Sequence, residues 1–299
     1  MNRRNFIKNT SLTAGVLTLS PKQILSTLLQ QPSYKLTPLH GNIGYFNERG
    51  GTIAYYIAKN EIVVIDTQFE DTIPHLLTEL KNKYHLPFKL LINTHHHGDH
   101  TGGNFAFKDL AEHVVGHENC LANYKRVAAL QHNEDKQLFQ DTTFKTTWQT
   151  KVGNENIKAY YFGAAHTSGD AVIHFEQANI AHIGDLMFNK IYPYIDMSAG
   201  ASFKSWINVL DKIIATFDDK TIFIFGHASK DEVTGNKEDL KKMQHYIHQV
   251  LALVDKEMKA GKSKDEIMQI QSIPNVGEWT DEKHVLKMNL DAAYTELSN

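Results

Sequence analysis

Short runs of β-branched and aromatic residues alternate with amphipathic stretches in both halves of the chain, and no other feature constrains the fold as strongly. "IAYYIA" (53–58), a Lys-Asn turn and "EIVVID" (61–66) read as a hairpin. "DTIPHLLTELKNKYH" carries Ile73, Leu76, Leu77 and Leu80 at helical spacing, with Asp71 or Thr72 available as a cap. "FKLLIN" (88–93) is a continuous apolar run, as in a strand buried on both faces. "HVVG" (113–116) is a further strand, and a helix follows near 118–131. The second half offers strands at 157–163, 170–176, 180–184 and 221–226. A helix over 202–217 places Phe203, Trp206, Leu210, Ile213 and Phe217 on one side. From Glu238 onward the chain is mostly helical. The alternation predicts an α/β layered fold rather than an all-β sandwich.

The totals narrow the function. A formal net charge of −3 without basic blocks argues against a nucleic-acid surface or a polybasic membrane patch. Cys120 is the single cysteine and cannot form an internal disulfide. The start is more informative: Arg3 and Arg4 precede Phe6, Ile7 and Lys8, and a short, weakly apolar segment follows from Leu12 to Leu19. That segment is too short to span a bilayer as a helix. It reads as an export signal of the twin-arginine kind, leading to the periplasm, and no cysteine follows it to carry a lipid anchor. The expected organisation is a signal and lead over 1–32, a main α/β domain over 33–236, and C-terminal helices over 237–299 packed on that domain.

The chemistry concentrates in "LLINTHHHGDHTGG" (90–103), which crowds four histidines and an aspartate onto the exit of a buried strand. Ligands in open α/β sheets gather at such carboxyl ends. In an extended segment His95 and His97 point to one side and can share an ion. His96 points the other way and is read as a supporting residue. Gly98 permits a turn, after which Asp99 and His100 reach a second point in space, with Thr101 as the cap of the next helix. Three further strand ends carry matching chemistry: His166 in "FGAAHTSGD", Asp185 in "HIGDLMF" and His227 in "FIFGHAS". Histidines combined with carboxylates suit a borderline ion such as zinc.

The pattern His95, His97, Asp99, His100, followed by His166, Asp185 and His227, resembles the metallo-β-lactamase superfamily over roughly residues 40–230. The resemblance implies a four-layer αββα sandwich with a dinuclear site at one edge. It implies His95, His97 and His166 on a first ion, Asp99, His100 and His227 on a second, and Asp185 bridging them. The expected cofactor is two Zn2+, with Fe or Mn as other divalent candidates. The implied activity is hydrolysis of an ester, thioester, lactone or amide of a small molecule by a hydroxide bridging the ions, with Asp99 orienting it. Asp66, ending "VVID", is the expected support from behind the site, with Thr94, Ser168 and Asp170 as weaker supports.

Two alternatives accompany that reading. β-Lactam cleavage is one, but the best-known zinc β-lactamases of the main subclass carry cysteine where Asp185 stands here. They also carry a lysine three residues later, where this chain has Phe188. Aspartate at that place looks more like the glyoxalase II, lactonase and phosphodiesterase branches. The other alternative is an iron-dependent, persulfide-oxidising enzyme of the glyoxalase-like branch, which uses one iron and fewer ligands. Loops around 42–52, 131–150 and 190–200 are expected to shape the substrate site. The C-terminal helices are read as a cap on the sheet rather than a substrate-binding addition. His113, His174 and His182 are read as structural, and Cys120 as a buried inert thiol.

Overall fold

The computed structural model describes residues 34–282 and 284–298, so the export signal expected over 1–32 lies outside the described residues. Seven strands build the first sheet in chain order: β1 (Lys35–Pro38), β2 (Ile43–Asn47), β3 (Ile53–Ile57), β4 (Ile62–Ile65), β5 (Phe88–Ile92), β6 (Ala111–His117) and β7 (Thr142–Phe144). Its first four strands meander antiparallel, and β4 to β7 run parallel. The second sheet uses β8 (Thr147–Val152), β9 (Glu155–Tyr160), β10 (Val172–Phe175), β11 (Ile180–His182), β13 (Ile222–Ile224) and β15 (Thr234–Gly235). Its order is β15-β13-β11-β10-β9-β8. A two-stranded parallel ribbon, β12 (Phe188–Asn189) with β14 (His227–Ala228), stands apart.

The layering follows from which side each residue faces. In β4, Val63 and Ile65 join one apolar cluster while Ile62 and Val64 join another. A strand apolar on both faces must be covered on both. Val63, Ile65, Leu90 and Ile92 meet Ile157, Ile173, Phe175 and Ile180 between the two sheets. The outer face of the first sheet is covered by the helix Ile73–Tyr84, through Ile73, Leu76, Leu77 and Leu80. The outer face of the second is covered by the helices Phe203–Thr216, Lys237–Lys259 and Leu286–Ser298 around Trp206, Phe223 and Phe225. The result is a four-layer αββα sandwich with helices added at its C-terminal end.

The terminal helix does more than cover. Glu296 accepts from the backbone N–H of Phe203 at 2.9 Å and of Lys204 at 3.1 Å, and from the Ser202 hydroxyl. Those are free donors at a helix N-terminus, so a carboxylate there is stabilising. Buried Asn289 donates to Pro193 O at 2.8 Å and accepts from Tyr246 Oη at 3.1 Å. The helix is thereby tied to the loop after β12.

Several local expectations differ from the structure. The run 157–163 leaves its ladder at Tyr160, where the pairing with β8 and β10 ends. Gly163 then takes φ +138°, a turn conformation that side chains resist. Residues 131–150 are not all loop, since they hold β7 and the start of β8. Strand β8 is an edge paired only to β9, and its mostly exposed "TWQTKV" gives little apolar signal. Thr101 does not cap a helix: it ends the short turn Gly98–Thr101 and donates back to His96 O and His97 O. Thr72 holds the N-cap position of its helix, but its hydroxyl bonds Phe69 instead.

Candidate metal centre

The exits of β4, β5 and β11 and the ribbon strand β14 lie at one edge of the sandwich, so Asp66, the histidine string, Asp185 and His227 meet there. His166 arrives from the loop after β9, six residues beyond its last paired residue. Potential ligand atoms of His95, His97, His166 and Asp185 all lie within 4.8 Å of one another, as do those of Asp99, His100 and His227. Asp185 stands between the groups: its Oδ2 is 3.3 Å from His166 Nε2 and 3.4 Å from His227 Nε2, and its Oδ1 is 3.0 Å from His100 Nε2. His227 Nε2 is also 3.0 Å from Asp99 Oδ2.

Four of the five imidazoles are oriented by an outward nitrogen. His95 Nδ1 meets Thr94 Oγ1 at 3.1 Å, and that hydroxyl donates to Asp66. His100 Nδ1 meets Asp66 Oδ2 at 2.7 Å, His166 Nδ1 meets Tyr194 O at 2.7 Å, and His97 Nε2 meets Asp196 Oδ2 at 3.0 Å. These partners are acceptors, which assigns the proton to the outward nitrogen of each ring and leaves a lone pair facing inward. Two such lone pairs, His97 Nδ1 and His166 Nε2, face each other at 2.8 Å. Nearby, His95 Nε2 is buried without a hydrogen-bond partner, and His100 Nε2 and Asp185 Oδ1 face each other at 3.0 Å without the geometry of a hydrogen bond. An unpaired buried polar atom costs about 1–3 kcal/mol. Inward lone pairs and carboxylates at this spacing fit a borderline divalent cation such as zinc.

The electrostatics agree. Burial, with the neighbouring His100, holds His95 well below the ordinary histidine range, and burial brings His166 down to about 3. Burial would raise Asp185, but His227, His100, His95 and His166 together hold it well below the carboxylate range. For Asp99 burial again opposes, and the hydrogen bond to His227 lowers its carboxyl. His100 and His227 go the other way: against burial, Asp185 raises both, helped by Asp66 at His100 and by Asp99 at His227, so these two rings would give up a proton when metal binds.

Close approach requires glycine at two places. A Cβ on Gly226 would lie 2.0 Å from Asp185 Oδ1, and one on Gly51 would lie 2.2 Å from the His100 ring. Asp66 sits fully buried behind the site, and its Oδ1 also accepts from Thr94 N at 2.8 Å. Asp170 binds Thr167 N and Oγ1 and so fixes the loop carrying His166. Ser168, by contrast, bonds Asn119 and Asn123 on the neighbouring helix. His182 is structural, bonding Thr52 O and Gly184 N. Sequence reasoning missed Asp196, although it is the one acidic residue between 190 and 200. His96, His97 and Asp196 also converge, but His97 already turns Nε2 toward Asp196 as a donor, so this trio makes no independent site.

The comparisons with known proteins converge on one family. The family model described as the metallo-beta-lactamase superfamily matches residues 48–227. Metallo-beta-lactamase IND-1 of Chryseobacterium indologenes is 22% identical over 212 residues, covering 69% of this chain and 84% of that protein. A metallo-beta-lactamase type 2 of Elizabethkingia meningoseptica is 22% identical over 226 residues, covering 73% and 88%. Among solved structures, a metallo-beta-lactamase from Pontibacter korlensis superposes with a TM-score of 0.61 at 20% identity, covering 72% of this chain and 99% of that one. The site's residues, the sandwich and the family match agree: this chain belongs to the metallo-β-lactamase superfamily.

Proposed function

We propose that the protein is a dinuclear zinc hydrolase acting on an ester, thioester, lactone or amide bond of a small molecule. The observation that carries the reading is the convergence of seven ligand-type side chains, four of them histidines aimed inward by acceptors behind them. His95, His97 and His166 would hold one ion, Asp99, His100 and His227 the other, and Asp185 would contact both. Zinc held here supplies Lewis acidity toward a carbonyl oxygen and lowers the pKa of a water toward neutrality. The protein's own part is to place that chemistry and to handle protons. Asp99 is 27% exposed on its side chain and faces a space of about 270 Å3 beside Phe188 and Tyr194. It is placed to orient an attacking water and to return a proton to the leaving group.

β-Lactam cleavage is the second reading, favoured by the printed names of the relatives. Their identity to this chain supports a shared fold rather than a shared substrate. Phe188 is buried and apolar beside the site, and Lys190 is engaged by Glu232 and Glu278. The test is metal analysis of the purified protein together with turnover of esters, thioesters, lactones and a chromogenic cephalosporin. About two zinc per chain, turnover on the acyl panel and its loss in Asp99→Asn are expected. Undiminished turnover from metal-free protein defeats the proposal; preference for the cephalosporin selects the second reading. Iron as the bound metal with oxygen uptake would point to the oxidising alternative. The export reading of residues 1–32 is part of the same proposal, and cell fractionation after Arg3→Lys/Arg4→Lys tests it.

A further inference from the structure

We propose, resting on the hydrolase reading above, that the substrate is an uncharged acyl compound whose arm runs past Gly98 into a separate chamber over His96. Three spaces at this edge adjoin one another through shared lining residues. The one holding Asp99 and His227 beside Phe188 shares those two residues with a mouth of about 460 Å3. That mouth shares Arg49 and Phe69 with a chamber of about 740 Å3 reaching the helix Glu118–Gln131. Gly98 lines both the metal-facing space and the chamber. A Cβ built on Gly98 meets nothing within 4 Å, so the absent side chain leaves a passage and answers no packing need.

The chamber has the character of a binding site for a neutral group. Phe69, Val127 and Ala128 give it an apolar wall. At its rim Arg49 and Lys136 are matched by Glu70 and Asp71. Arg49 is held through one nitrogen by both oxygens of Asp71 and lies over the Phe69 ring at 4.8 Å. Its charge is balanced by Asp71, and with Lys136 set against Glu70 the rim carries no net charge to draw in a substrate carboxylate. His96 lines the same chamber, its side chain 1% exposed and both ring nitrogens without a hydrogen-bond partner. A neutral imidazole offers one donor and one acceptor, so an orphaned ring here points to a polar group brought by a ligand. Asp196 Oδ2 at 3.9 Å is beyond hydrogen-bond reach. The arm that fits is apolar in outline with a neutral hydrogen-bonding group, such as an amide.

The test uses the zinc-loaded full chain with p-nitrophenyl hippurate, whose acyl arm carries an amide, and p-nitrophenyl acetate, which has no arm. Gly98→Leu closes the passage and Val127→Trp fills the chamber; circular dichroism checks that both variants fold. The hippurate-to-acetate ratio of kcat/KM should fall about tenfold in each, the loss of one modest contact set. In parallel, hippuramide is titrated into protein with 15N-labelled histidine. The His96 ring resonances should shift in the wild type and stay fixed in both variants. An unmoved His96, or variants that lower both esters equally, overturns the chamber. If neither ester turns over while hippuramide still moves His96, the hydrolase reading falls and the chamber stands as a binding site.

Discussion

Asp196 Oδ2 lies 3.0 Å from His97 Nε2, ninety-nine residues away in sequence, and so leaves Nδ1 of His97 to face His166 and the candidate centre. Asp196 itself is held by Ser198 Oγ at 2.6 Å and by Ala199 N at 3.1 Å. A carboxylate behind a ligating imidazole fixes its tautomer and raises its basicity. Asp196→Ala should weaken zinc binding about 10- to 100-fold, with Asp196→Asn retaining part of the affinity. Competition with a chromophoric chelator measures it; unchanged affinity in Asp196→Ala would show that His97 needs no orienting partner.

Asp66 is the deepest charge in the site. It accepts from Thr94 N, Thr94 Oγ1 and His100 Nδ1, and both it and His100 are fully buried. Removing one partner of a buried charged pair leaves the other unpaired, at a cost of about 3–5 kcal/mol. Asp66→Ala should therefore unfold at markedly lower urea concentration even without metal. A loss under about 1 kcal/mol, within the usual range of surface changes, would contradict the role given to this carboxylate.

Asp170 makes stability depend on pH in an unusual direction. Burial pushes its carboxyl from 3.8 up to about 7, despite the hydrogen bonds from Thr167. A group whose folded value is raised contributes stability that is complete below the unfolded value and is lost as pH rises through the folded one. The window is thus pH 4 to 7. Over it, the melting temperature of the metal-free wild type should fall relative to that of Asp170→Asn, which cannot ionise. Parallel curves would mean that the carboxyl ionises normally.

Asn289 joins the terminal helix to the loop carrying Tyr194 and Asp196, through Pro193 O. Its replacement by Ala leaves Pro193 O and Tyr246 Oη without this partner in a buried place, so about 2 kcal/mol of stability should be lost. Chemical denaturation checks the figure. Zinc affinity should weaken as well, because the loop orients His97 and His166; a stability loss with unaltered affinity would separate the helix from the site.

The parts legible in sequence are those with strong local signals. The runs around Val63 and Leu90 are apolar on successive positions, and that pattern permits only a doubly covered strand. His95 and His100 stand out because several costly groups crowd one strand exit. Asp66 could be singled out because it ends such a strand. What stayed hidden depends on contacts between distant segments. Strand β8 is recognisable only by its pairing with β9. Asp196 is one carboxylate in an irregular loop, and nothing near it in sequence shows that it meets His97. The place of His166 followed from its chemistry even though its strand ends earlier than the apolar run suggested. The helices after 237 share an apolar cluster with Trp206 and Phe223, as their helical spacing suggests, but the tie from Asn289 to the site's loop has no sequence signal.

That tie has a consequence for biogenesis. A ribosome releases the chain from its N-terminus, so the histidine string and Asp185 emerge long before Asn289 and Glu296. Until those two residues are out, the segment bearing Tyr194 and Asp196 lacks this anchor, and the helix beginning at Phe203 has its Ser202 cap but not the carboxylate that binds its first N–H groups. The nascent protein therefore holds this edge unfinished until Asn289 and Glu296 have emerged.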